Sequence, residues 1–231
     1  GYNVQTAVDT DHHLIVAHEV TNVGSDRRQL TRMSEQAKSA LSVDEISVVA
    51  DRGYYRNLEL KACEEAGITT YVPNSSTSPN KALGKFDRSV FRYIAADDEY
   101  ECPAEQRLAW RMTSEEKDMT LHRYWSDQCG TCQLKPQCTT GKHRRMTRWE
   151  HEAVVDRART RLERSADMMR RRRATVEHPF GTLKAWMGST HFLTRTLPRV
   201  STEMSLHVLA YNMKRMMNIV GTKPLIEAIR A

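Results

Sequence analysis

The chain has 231 residues, of which 39% are hydrophobic and 28% are charged, and its formal net charge is +6. This length allows one sizeable hydrophobic core with room for an inserted subdomain. No stretch approaches the roughly 18 apolar residues of a membrane span, and the first residues lack the pattern of a signal peptide.

The first seventy residues alternate predicted strands and helices. Residues 2–9 alternate in polarity and "LIVAHEV" follows the turn "TDHH", so a β-hairpin is expected. Ser25 or Asp26 can cap a helix that runs to about Leu41. "ISVVA" indicates a short buried strand before Asp51. A further helix is expected over residues 57–66, followed by the strand "ITTYVP".

Residues 74–148 interrupt this pattern. The segment begins with the polar loop "NSSTSPNKALGK" and contains four of the five cysteines, so an insertion is expected. Residues 149–231 are predicted to be mostly helical. Their apolar stripe indicates core packing, through Met204, Val208, Tyr211 and Met216.

Positive charge is concentrated in residues 141–184, which hold 13 Lys and Arg against 6 Asp and Glu. Such a block favours a polyanionic partner, usually nucleic acid. The alternative is a solvated helix face that is rich in arginine.

Asp51 ends an apolar strand and precedes Gly53, which permits a tight turn. A charge in this position must be paired or face a site, and ligands of open α/β sheets gather at the carboxyl ends of strands. The simpler alternative is that Asp51 caps the turn.

Glu177 stands among bases in "RRRRATVEHPFGTLK". On a continuous helix, Arg170, Arg173 and Lys184 lie within about 40° of Glu177. Pro179 is expected to disturb that helix before Lys184. Either the bases pair with the acid on a helix face, or the acid holds a metal ion while the bases hold phosphates.

The spacing R-x3-E-x6-K of Arg173, Glu177 and Lys184 resembles the C-terminal signature of DDE transposases of the IS4-like group. That signature has a tyrosine where this chain has Arg170. "VVADRGYY" is similar to the segment of the second catalytic aspartate. "GYNVQTAVD", the cysteine-containing insertion and "VEHPFGTLK" resemble the IS1182 transposases most.

This resemblance implies an α/β, RNase H-like fold, with a mixed sheet, flanking helices, a cysteine-containing insertion and a helical C-terminal part. Residues 1–73 would be the first part of the catalytic domain, 74–148 the insertion and 149–231 the helical completion carrying Glu177. Asp51 would be the other catalytic carboxylate.

The resemblance also implies a transposase that cleaves and joins DNA at insertion-element ends, with two Mg²⁺ or Mn²⁺ ions held by Asp51, Glu177 and a third carboxylate. Arg170, Arg173 and Lys184 would contact the DNA. A homodimer on DNA and a cytoplasmic, nucleoid-associated location in a prokaryote are further implications.

Asp9, Asp11 and Asp26 are candidates for the third carboxylate. Asp9 is a weak candidate because Asp is common in hairpin turns. The fold implied by the resemblance has a strand before the hairpin, so this strand and its Asp are expected upstream of Gly1. The chain alone is then expected to be inactive. A DNA-binding remnant and an RNase H-like nuclease without a joining step are the alternatives.

Cys129 and Cys132 form a C-x2-C pair, which is the spacing of a zinc knuckle. Cys102 and Cys138 would complete a structural Zn²⁺ site, with His122 or His143 as substitutes, and packed reduced cysteines are the alternative. Cys63 is expected in the core. An odd number of cysteines favours a reducing compartment.

Overall fold

The computed structural model describes residues 1–74, 78–186, 188 and 190–230, so Ser75–Thr77 of the predicted polar loop lie outside it. The chain forms two compact units, residues 1–74 with 154–231 and residues 75–153. None of the described helices is both long enough and apolar enough to span a membrane.

The described chain alternates strands and helices in its first seventy residues and ends in helices. In chain order, the elements are β1 (Asn3–Val8), β2 (Ile15–Thr21), α1 (Leu30–Leu41), β3 (Ile46–Val49), α2 (Asn57–Glu65), β4 (Ile68–Tyr71), α3 (Pro79–Ala82), β5 (Arg92–Ile94), β6 (Glu99–Glu101), β7 (Arg107–Glu116), β8 (Met119–Trp125), α4 (Lys135–Cys138), β9 (Met146–Trp149), α5 (Glu152–Arg164), α6 (Met168–Gly181), α7 (Leu197–Val220) and α8 (Thr222–Arg230).

The first unit contains two small sheets with flanking helices. β1 and β2 form the predicted antiparallel hairpin, and β3 pairs with β4 in parallel, as the connection through α2 requires. The mixed α/β class is therefore confirmed, and the arrangement is compatible with an RNase H-like fold.

Two apolar cores stabilise this unit. One lies under the parallel pair and contains Leu30, Leu60 and Ile68. The other joins the hairpin to α7 and contains the buried side chains of Met204, Val208 and Tyr211. These three residues of the predicted stripe therefore form a core face, whereas Met216 is only half-buried and does not belong to this core.

The buried side chain of β1 is polar. Gln5 is only 1% exposed, whereas its neighbours Val4 and Thr6 are half-buried. Gln5 tolerates burial because its amide donates to Asp26 and accepts from the Tyr54 hydroxyl. Val4 and Val8 pack against the core that is shared with α7, so both faces of β1 are covered, one by apolar packing and one by hydrogen bonds to Gln5.

The second unit is a five-stranded antiparallel sheet in the order β5-β6-β7-β8-β9. Phe91, Tyr100, Leu108, Tyr124 and Met146 form its core. Sequence analysis predicted none of these strands, because most of their other residues are charged or polar.

Candidate catalytic site at the end of strand β3

Asp51 follows β3 and uses its two carboxylate oxygens differently. Oδ1 accepts from the backbone N–H of Gly53 at 2.8 Å, which caps the 3-10 turn Arg52–Tyr54. Oδ2 accepts from an Nη of Arg172 at 2.8 Å. Asp51 is thus both the cap and half of an ion pair, and its partly exposed side chain remains accessible to a ligand.

A second carboxylate, Asp26, lies beside this turn. Its Oδ1 accepts from Nδ2 of Asn3 at 2.8 Å and from Nε2 of Gln5 at 2.7 Å. Burial and the negative charges of Asp26 and Asp51 raise the pKa of Tyr54 to about 12. Asp26 therefore lies close to Asp51. The side-chain amides of Asn3 and Gln5 hold the Asp26 carboxylate in place.

Gly53 lies next to both acids. A Cβ added at Gly53 would lie 2.9 Å from Oδ1 of Asp51 and 3.6 Å from Oδ2 of Asp26. The first distance is shorter than ordinary carbon–oxygen contacts, so a side chain at residue 53 would require the Asp51 carboxylate to shift.

The other two acid candidates lie in the turn of the hairpin. Asp9 belongs to the hairpin turn, where its Oδ2 accepts from the backbone N–H of His12 at 2.7 Å. Asp11 is exposed in the same turn. Asp9 therefore stabilises the hairpin turn through its side chain, which is a common role for Asp.

A cleft separates the two sheets of this unit and ends at Asp51. Residues 3–10 line one side, residues 46–51 line the other, and the cleft encloses about 410 Å³. Among the described residues, β1 pairs with β2 alone and β3 with β4 alone. The facing edges of β1 and β3 therefore present backbone N–H and C=O groups that have no strand partner there.

Helix α6 closes one side of the cleft. Arg172, Thr175, Val176 and Phe180 line it, and they recur at the spacing of one helix face. Sequence analysis missed Arg172, although its spacing from these residues would have placed it on the packed face. Arg172, rather than Arg170 or Arg173, is the arginine that contacts Asp51.

Glu177 is exposed on α6, and it does not line the cleft, although its neighbour Val176 does. In the described part of the chain, no three His, Cys, Asp or Glu side chains form a group that could hold a metal ion. Carboxylates are the donors that Mg²⁺ and Mn²⁺ prefer, but the described residues do not assemble a complete set.

The three predicted DNA-contacting residues, Arg170, Arg173 and Lys184, are all exposed. α6 continues past Pro179 to Gly181 and is followed by a π-helical turn over residues 182–186. Such a turn adds a residue per turn and shifts the helical phase. Lys184 lies in this π-helical turn, beyond the end of α6. The predicted position of Lys184 on the same helix face as Glu177 assumed one regular α-helix and therefore no longer applies.

The four cysteines of the second unit surround one cavity of about 30 Å³. These residues are Cys102, Cys129, Cys132 and Cys138, and all are free thiols. Burial is the main cause that raises the pKa of the Cys138 thiol. Their geometry is not that of a formed metal site, because no described group of three metal-binding side chains is found.

The two histidine substitutes have other contacts. A ring nitrogen of His122 lies 2.9 Å from the Thr113 hydroxyl, and a ring nitrogen of His143 lies 3.2 Å from the backbone oxygen of Ser126. His143 also stacks on Trp125. Neither His122 nor His143 lines the cysteine cavity. Cys63 is fully buried in the core of the first unit, as predicted.

Most of the chain is similar to a known protein family. The family model for the transposase DDE domain matches residues 1–213, which include Asp51, Glu177 and the cysteine-containing unit. No curated protein and no solved structure gave a match. The match extends over most of the chain, which therefore belongs to the transposase DDE domain family.

Proposed function

We propose that the chain is the catalytic domain of a DNA transposase that cleaves phosphodiester bonds at insertion-element ends and joins them to target DNA. The observation that carries this proposal is the position of Asp51, which lies at the end of β3, at the mouth of an open cleft and within reach of an arginine. The similarity to IS1182 transposases, a subgroup of the IS4-like group, supports the same reading.

We propose that the cleft between β1 and β3 receives an additional strand. The cleft is bounded by two strand edges, and a strand between them would satisfy the backbone groups on both sides. Its end would lie near Asp51 and can supply the third carboxylate. This supports the expectation that the catalytic set is completed by a segment upstream of Gly1.

In the completed site, Asp51, Glu177 and the added carboxylate would hold two Mg²⁺ or Mn²⁺ ions, which supply activation of the attacking oxygen and stabilisation of the leaving oxygen. Arg172 neutralises Asp51 in the present structure and would be released to a DNA phosphate when a metal takes that carboxylate. Arg170, Arg173 and Lys184 are exposed, as contacts to the DNA backbone require.

The incomplete carboxylate set also favours a second candidate function. Without a third carboxylate, residues 1–231 would bind DNA through the block of bases in residues 141–184 but leave it uncut. Such a protein would act as a remnant that interferes with an intact transposase. The joining reaction further suggests a homodimer on DNA, because two element ends have to be held together.

The two functions are separated by comparing residues 1–231 with the product of the complete reading frame on a DNA substrate that carries an element end, with Mg²⁺ or Mn²⁺. We expect residues 1–231 to bind but not to cleave, and the complete protein to cleave and to form strand-transfer products. Cleavage without joining would indicate a nuclease instead.

The outcome that contradicts the added strand is metal-dependent nicking by residues 1–231 that Asp9→Ala abolishes. In that case the third carboxylate would belong to the hairpin itself. If the complete protein also binds without cleaving, the remnant is the better description.

We further propose that the cysteine cavity holds a structural Zn²⁺. Four thiols from three segments surround a space large enough for one ion, and thiolates are the usual zinc ligands. Zinc binding would need the thiols to lose their protons and close on the ion, which would link these segments and stabilise a small unit.

Protein purified under reducing conditions is expected to contain about one zinc ion per chain, measured by mass spectrometry of the metal. Cys132→Ala is expected to lose the zinc and to lower the unfolding temperature of the second unit. Cys63→Ala is the matched control, because Cys63 is buried in the other unit and should leave the zinc content unchanged. Fresh wild-type protein without zinc would reject this site.

A further inference from the structure

Helix α7 is apolar on two opposite sides. One side packs on the hairpin through Met204, Val208 and Tyr211. On the opposite side, five apolar side chains are between 40% and 62% exposed, namely Leu206, Leu209, Met213, Met217 and Val220. At 100° per residue, these five lie within about 40° of a common direction, and that direction points away from the buried side. A helix with this pattern is normally buried on both sides.

The exposed side has the spacing of a helix-pairing surface. Leu206, Leu209, Met213, Met216 and Val220 follow one another at alternating intervals of three and four residues. This is the heptad spacing with which one helix packs lengthwise on another. We call Leu206, Leu209, Met213, Met216, Met217 and Val220 the apolar seam. The seam carries no charged residue, so a helix with an apolar face is the partner that it fits.

The following helix, α8, also exposes apolar side chains. It has no buried residue among those described, and Ile226 and Ile229 are 44% and 71% exposed. A helix of nine residues is not stable in water without packing. The C-terminal part of the chain therefore exposes apolar side chains from two successive helices, which is the kind of surface that marks an interaction site.

We propose that the apolar seam is a self-association surface on which α7 of a second copy packs. A two-fold axis places the same seam on both sides of the contact, so every apolar position meets an apolar position. Complete burial of the five exposed side chains on both copies would cover at most roughly 1,000 Å², which is at the lower limit of a specific interface. Surrounding polar residues and α8 would add to this area.

This inference gives a surface to the homodimer that belongs to the proposed function, but it requires neither DNA nor metal ions. It is tested by sedimentation velocity of the whole chain, without DNA, over a wide range of protein concentration. We expect a dimer for the wild type. The double substitution Leu209→Lys with Met213→Lys is expected to raise the dissociation constant about 100-fold or more, because it places two ammonium groups in the centre of the contact.

The control is Leu193→Lys, which adds one ammonium group of the same kind at a side chain that is 83% exposed and lies outside the seam. It should leave the dimer unchanged. Circular dichroism is expected to show an unchanged helix content for each variant, because the replaced side chains are exposed in a single copy. If the double variant loses helix content, Leu206→Lys at one end of the seam replaces it.

A wild type that stays monomeric at the highest concentration would overturn the proposal, as would a folded seam variant that stays dimeric. Loss of cleavage with the dimer retained would count against the proposed function and leave the self-association surface standing.

Discussion

Replacing Asp51 by asparagine is expected to abolish both cleavage and strand transfer in the complete protein while DNA binding survives. The substitution removes one negative charge from the end of β3 but keeps an oxygen that can accept from the backbone N–H of Gly53. The turn Arg52–Tyr54 should therefore persist. Loss of a metal-binding carboxylate costs several kcal/mol of transition-state stabilisation, which corresponds to roughly 10³-fold or more in rate.

Asp118→Asn is the matched control, because the exposed Asp118 lies in the turn between β7 and β8 with φ near 64°, a conformation that Asn also tolerates. It changes the net charge by the same amount and should leave both steps unaffected. Glu177→Gln should behave like Asp51→Asn if the exposed Glu177 reaches the site when DNA and metal are bound. Retained cleavage in either variant would reject that residue as catalytic.

The polarity pattern of the first seventy residues was sufficient to predict the hairpin, the strand before Asp51 and the helices that follow. These segments are locally consistent, since each combines a strong periodic pattern with a cap or a turn at its end. The burial of Gln5 on the polar face of β1 was not predictable in this way. Gln5 is buried because Asp26 and Tyr54 satisfy its amide, and these partners lie more than twenty residues away along the chain.

The sheet of the second unit shows a different limit. Its strands have few apolar residues, and Leu108, Tyr124 and Met146 each become buried only when neighbouring strands are already in place. A single strand of this kind has no clear alternation to read. The cysteine spacing predicted proximity of the four thiols better than hydropathy predicted the strands that position them.

At the candidate site, the sequence pointed to Asp51 but not to Arg172, with which Asp51 forms an ion pair. Arg172 lies among four consecutive arginines, and the choice among them depends on which face of α6 packs against the sheets. Sequence analysis selected Arg170 and Arg173 by their relation to Glu177, whereas packing is set by Thr175, Val176 and Phe180. Sequence analysis also did not predict the exposed apolar seam of α7. It interpreted the apolar residues of this helix as a single stripe that packs in the core, and it did not examine the opposite side.

Gly53→Ala is expected to impair cleavage without unfolding the protein. The added Cβ would lie 2.9 Å from Oδ1 of Asp51, so the carboxylate has to rotate slightly, which weakens its hydrogen bond to the backbone N–H of residue 53. That rotation also disturbs the ion pair with Arg172. Misplacement of a catalytic group by about 1 Å can cost about 10²-fold in rate, so we expect a loss of roughly that size.

Gly24→Ala is the matched control, because a Cβ at Gly24 would meet no atom within 4 Å. It makes the same chemical change two residues before Asp26 and should leave the rate unchanged, with stability equal or slightly higher because alanine restricts the unfolded chain. Rates of cleavage and strand transfer are measured together with thermal unfolding for both variants. A folded Gly53→Ala variant with the wild-type rate would mean that the position of Asp51 beside Gly53 is not the catalytic one, and that the carboxylate moves when DNA and metal bind.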